Sequence, residues 1–167
     1  MNTRTRITQT LLWLAVIGLS IWVGGTLYQM LVIVPLWNAS PPESIRSFFL
    51  GTRYNETIWN FFGPPWMVAR MVPLVGALLF GWHLSSHRKW LLLTVICMAF
   101  GVVFTLFYIY PINDVLFLQA GGAHGPEEIR AMARQWILAD RVRFGVGCVG
   151  FLALLRAFSI PFVENKQ

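Results

Sequence analysis

Apolar residues along this chain come in long blocks and not at the three-to-four-residue spacing of an amphipathic helix. Four blocks stand out, over about residues 11–36, 66–84, 90–110 and 136–158, divided by polar stretches that carry Pro, Gly and charge. A helix rises ~1.5 Å per residue and needs roughly 20 residues to cross ~30 Å of hydrocarbon. Each block is therefore read as one transmembrane helix. The pattern predicts an all-α fold, a four-transmembrane-helix bundle in a single domain over 1–167. The fourth block differs at its start, where Trp136, Asp140 and Arg143 precede the uninterrupted apolar run Phe144–Leu155. That run rises only ~18 Å as a helix, so a span built on it carries ionisable groups at or near membrane depth. Such groups face a bundle interior and mark the first place to look for function.

Two long loops, about 37–65 and 111–135, fall on one side of the bundle, and each is expected to contain a short amphipathic helix. In the first, Ser40-Pro41-Pro42-Glu43 supplies a cap and early prolines ahead of Ile45, Phe48 and Phe49, an i, i+3, i+4 apolar set suited to lying on the membrane surface. Gly63-Pro64-Pro65 breaks the chain before the second span. In the second loop Gly121-Gly122 is a flexible break, and Pro126-Glu127-Glu128 starts a helix that runs through Ile129, Met132 and Ala133 into the fourth span. Pro35 is expected to end or kink the first span, and Pro111 to bend the chain at the end of the third. Ser20 with Gly24, and Ala77 with Gly81, are small-xxx-small pairs that allow close helix approach.

Composition agrees with the membrane reading: 56% of residues are hydrophobic and 12% charged, against about 25% charged in soluble domains. The net charge of +6 is scattered and forms no stripe, which points to anionic lipid headgroups as partners and not to nucleic acid. The apolar run after Arg4 and Arg6 is too long for a signal-peptide core and no small-x-small cleavage site follows it, so the segment is expected to be retained. An even number of spans puts both termini on one side, and Arg4, Arg6, Arg88 and Lys89 mark that side as cytoplasmic, as in a bacterial inner membrane. Most tryptophans fall near span ends, but Trp22 lies mid-span. Cys97 and Cys148 read as buried free thiols. His83 and His87, beside Arg88 and Lys89, read as an interfacial polar end. No second histidine pair exists on another span, and no nucleotide loop, metalloprotease motif or nucleophile elbow is present. The sequence thus indicates no metal site and leaves the cofactor unknown.

The candidate chemistry gathers at one membrane boundary. Trp136, Asp140 and Arg143 share one helix face at i, i+4, i+7, and Asp140 and Arg143 are spaced to pair. Arg70, near the start of the second span, either snorkels to the headgroups or pairs with Asp140 across the bundle. Asn113, just beyond Pro111, either caps a helix end or reaches the fourth-span face. Tyr28, one turn after Gly24, needs a partner for its hydroxyl, and Tyr108 opens the segment that leads into Pro111.

Pro111-Ile112-Asn113 together with Trp136-x-x-x-Asp140-x-x-Arg143 resembles the anthrone-oxygenase-like family of membrane proteins, and the resemblance covers nearly the whole chain. The family pattern has Asn where this chain has Asp140, which adds a charge. The resemblance implies a small four-helix membrane protein, some of whose relatives oxidise tricyclic anthrones to anthraquinones without an evident metal motif. It implies a pocket lined by Asn113, Trp136, Asp140 and Arg143. The expected function is then that of an oxidoreductase or binding protein for a flat aromatic or quinone-type molecule. Arg143 and Asn113 would polarise a carbonyl, Asp140 would take a proton, and Trp136, Arg70, Tyr28 and Tyr108 would contact the ligand. The alternative is a non-catalytic structural or accessory subunit that docks other membrane subunits. A channel or transporter ranks below both, because no polar stripe runs the full membrane depth.

Overall fold

The computed structural model describes residues 3–50, 53–119, 122 and 124–162. Helices form almost all of it, with no strand among the described residues. They are α1 (Thr3–Trp37), α2 (Glu43–Leu50), α3 (Tyr54–Phe62), α4 (Pro64–Phe80), α5 (Ser85–Leu118) and α6 (Pro126–Ser159). Four helical stretches are long and apolar enough to cross a membrane: α1, Asn60–Phe80, α5 and α6. Their outward faces carry exposed Leu14, Val72, Ile96 and Leu152, a surface suited to lipid contact. The chain is an integral membrane protein by this measure.

Length then shapes the molecule. Asn60–Phe80 has 21 residues, but α1, α5 and α6 have 34 or 35, so these three run to ~50 Å and overshoot a ~30 Å layer. They share one end. Arg4 Nε donates to the Phe80 carbonyl at 2.8 Å, and the His87 ring Nε2 lies 3.2 Å from the Ile160 carbonyl. The start of α1, the α4–α5 turn and the end of α6 are thus tied together, and the excess length projects at the opposite end. There α2 and α3 sit.

Two apolar cores result. The inner one joins Leu12, Leu19, Trp22, Leu74, Leu91 and Leu154 within the spans. The outer one joins Trp37, Ile45, Phe49, Leu116, Ile129 and Trp136 in the projecting part. Around the bundle α1 packs on α4 and α6, and α5 packs on α6; the α4–α5 pairing is much the thinnest of the four.

Several sequence expectations are corrected. Pro111 does not end the third span: α5 continues to Leu118. A wide π turn over Thr105–Ile109 directly precedes Tyr110-Pro111, with the Tyr110 N–H donating to the Thr105 carbonyl. Widening the helix there accommodates the ring, which would clash in a regular α turn and which brings no N–H of its own. Pro35 is handled alike, after a π turn over Gln29–Ile33. The second loop therefore shrinks, and its helical parts are the extensions of α5 and α6. Gly121 of the expected glycine break lies outside the described residues. α2 does bury Ile45 and Phe49, but into the outer core and not into lipid, because the projecting helices offer an aromatic platform. Its start is stitched by Ser44, whose Oγ donates to the Trp37 carbonyl at 2.6 Å. Ser20 is exposed and Gly24 has nothing within 4 Å of an added Cβ, so close approach falls instead at Gly18, whose added Cβ would lie 3.2 Å from the Arg70 Cβ. His87, at the start of its span, is buried and stacked on Phe162. Both cysteines are free, Cys97 buried and Cys148 half-buried.

Candidate functional site

A cavity of about 150 Å³ lies where the two cores meet, bounded by α1, α3, α4, α5 and α6, with Phe49 of α2 at its outer end. Half of its lining residues are aromatic or sulfur-bearing, including Trp22, Trp37, Trp136, Met67, Met71 and Met98. The outer end is closed by an aromatic cluster. Trp37 meets Trp136 and Phe117 edge-on with ring centroids 5.4 Å apart, and Phe117 stacks on Phe49 at 4.2 Å. Aromatic pairs in such arrangements add ~0.5–1.5 kcal/mol each beyond their buried area.

The polar groups come from α5 and α6 at this end. Trp136 is buried and its Nε1–H donates to Asn113 Oδ1 at 2.5 Å. An indole N–H can only donate, so it fixes the carboxamide with its oxygen toward Trp136 and leaves the NH₂ as a donor. Farther along α6, Arg143 pairs with Asp140 Oδ1 through one terminal nitrogen. Through the other it donates to Thr105 Oγ1 at 3.1 Å. The Asp140 side chain is 2% exposed and that of Arg143 12%. Asp140 Oδ2 and Arg143 Nε are buried without a hydrogen-bond partner.

Arg70 lies deeper than a snorkelling residue would. Its Cβ is level with Gly18, midway along α1, and its guanidinium sits over the Trp22 ring, 5.1 Å from the centroid. No ion pair joins it to Asp140: the carboxylate is taken by Arg143. Arg70 still lines the cavity.

The structure thus gathers Asn113, Trp136, Arg143 and Arg70 around one space, with Asp140 just behind Arg143 and outside the lining. The other two expected residues stand apart. Tyr28 is 58% exposed. Tyr108 stacks on Phe104 and accepts a hydrogen bond from Gln135 Nε2 at 2.8 Å on the outer surface. Neither lines the cavity. Among the lining residues that escaped the sequence reading are Trp22, Gln29 and Thr105. A signal existed for each. Trp22 was the tryptophan out of place for a belt, and Gln29 and Thr105 each stand six residues before a proline that the helix continues through. Both open a π turn, the helical irregularity found most often at functional sites. Among the described residues no group of three or more His, Cys, Asp or Glu is placed to hold a metal ion.

No curated protein sequence and no solved structure matches the chain. A family model described as Anthrone oxygenase matches residues 57–153. That stretch takes in α4, α5 and most of α6, and so includes Arg70, Asn113, Trp136, Asp140 and Arg143. Covering more than half of the sequence and both of the motifs that the Asn113–Trp136 hydrogen bond joins, the match places this chain in the anthrone oxygenase family.

Proposed function

We propose that the cavity binds a flat aromatic ketone dissolved in the membrane and that the protein promotes its oxidation by molecular oxygen to a quinone. The observation that carries this reading is the polar wall of Asn113 and Arg143 at one end of an otherwise aromatic and methionine-lined space. Such a space suits a ring system, and the two groups suit an oxygen at its edge. In the reaction, the methylene opposite the carbonyl loses a proton to water and leaves an enolate whose charge rests on that oxygen. The Asn113 amide hydrogens and the Arg143 guanidinium favour that charge as it forms. The enolate gives one electron to O₂, and the two radicals combine at carbon. The resulting peroxide breaks its O–O bond and loses the second methylene hydrogen. One oxygen atom stays as the new carbonyl and the other leaves as water, taking back the first proton. In this scheme Asp140 does not touch the substrate; it is a positioning residue that holds Arg143.

Size fits in stages. About 150 Å³ equals an engineered apolar cavity that takes up benzene, so one ring enters as the cavity stands. Met67, Met71 and Met98, being flexible, and the thin α4–α5 seam supply room for further rings and a route from lipid.

Gly101 provides the test. It lines the cavity, and a Cβ added there meets nothing within 4 Å, so Gly101→Phe fills space without a clash at its root. Purified wild-type protein in detergent is expected to speed oxygen uptake by anthrone above the buffer rate, one O₂ per anthraquinone formed, and Gly101→Phe to abolish the gain. A wild-type rate equal to buffer, or a variant as fast as wild type, overturns the proposal.

A further inference from the structure

The cavity carries more positive charge than its own residues cancel. Arg143 is matched by Asp140. Arg70 is not: it forms no ion pair or hydrogen bond with any described residue, and its Nε is buried without a partner, as is that of Arg143. Among the described residues the lining includes no carboxylate. Both guanidiniums line this one space, so a negative charge placed in it is favourable to each. An arginine does not shed its proton to escape such a site, and an uncompensated charge at membrane depth is costly. The Trp22 ring offsets a part of that cost through its face, but a ring offers no acceptor for the buried N–H.

We propose that the cavity takes its aromatic ligand as an oxyanion, an ionised hydroxyl or enolate oxygen lodged between Arg70 and Arg143, so that Arg70 is the residue that selects anionic over neutral ring systems. The anion accepts hydrogen bonds from two cationic groups whose buried Nε–H donors otherwise have no partner, the strongest ordinary kind. This rests on the reading of the cavity as a site for flat aromatics and adds the charge state of what it holds.

Two probes of like shape separate the two claims. 2-Hydroxy-1,4-naphthoquinone has an acidic hydroxyl that is ionised at neutral pH; its 2-methoxy analogue is neutral. Equilibrium binding to the detergent-purified full chain is expected to favour the hydroxyquinone by roughly tenfold or more, about 1.4 kcal/mol. Arg70→Gln is expected to erase the preference and Arg70→Lys to keep most of it. Equal affinities in the wild type, or a preference that survives Arg70→Gln, overturn the oxyanion assignment and leave the aromatic site standing. Binding of neither quinone overturns both. Laurate, an anion without rings, is expected to compete poorly. Competition equal to that of the hydroxyquinone would make this a site for lipid carboxylates and end the assignment.

Discussion

Removing the Asp140 carboxylate is the sharpest test of how the site is held together. In Asp140→Ala, Arg143 keeps its hydrogen bond to Thr105 but loses its counter-charge. The Asp140 side chain is 2% exposed and that of Arg143 12%, so water does little to screen the guanidinium left behind. Breaking a buried pair from one side costs ~3–5 kcal/mol. For a chain of this size ~1 kcal/mol moves the melting temperature by ~2–4 °C, so a fall of roughly 6–20 °C is expected for the detergent-solubilised variant. Arg143→Met with Asp140→Ala removes both charges and fills the space with an apolar chain. That double variant is expected to melt above Asp140→Ala alone, since an apolar pair replaces a stranded charge. Asp140→Asn, which keeps an acceptor for Arg143 but no charge, is expected to fall between wild type and Asp140→Ala. A melting temperature for Asp140→Ala within about 1 °C of wild type would refute the reasoning behind that shift. So would a double variant whose loss equals the sum of the two single ones.

Two further substitutions probe the walls. Gly147→Val would set a Cβ 2.5 Å from the Trp22 ring; overpacking of this kind costs ~1–3 kcal/mol, and thermal unfolding together with weakened hydroxyquinone binding would report the displaced Trp22–Arg70 pair. Trp136→Phe leaves Asn113 Oδ1 without its donor, for an expected loss of ~1–3 kcal/mol; an unchanged melting temperature would show that the hydrogen bond does not order the end of the cavity.

The spans were legible because lipid demands unbroken apolar length, a property that blocks of sequence display directly. The Asp140–Arg143 pair was legible for a related reason: three residues apart on one helix, the two have a fixed geometry whatever surrounds them. Asn113 and Trp136 are 23 residues apart, and spacing left Asn113 with two readings, a helix cap or a reach to the fourth-span face, that only the family motif narrowed. The depth of Arg70 was not legible, because it depends on which α1 residue faces it, and that is fixed by Gly18 on another helix. Tyr28 was misplaced for the opposite reason: one turn from a glycine does not fix a direction. The span end read at Pro111 failed because proline forbids a regular turn, not a widened one.

Those two widened turns have a mechanical consequence. Gln29 comes seven residues after Trp22 and Thr105 seven after Met98, and Trp22 and Met98 flank the same Gly147. The irregular stretches of α1 and α5 therefore lie at about the same height, on the floor of the aromatic cluster. Each interrupts the regular i to i−4 ladder of its helix, while α6 passes that height as an unbroken α-helix. Two pliant struts beside one stiff post make a hinge. The cap of the molecule is then expected to tilt about α6 while the buried base keeps its packing, and amide hydrogen exchange in α1 and α5 is expected to be fastest just below Pro35 and Pro111.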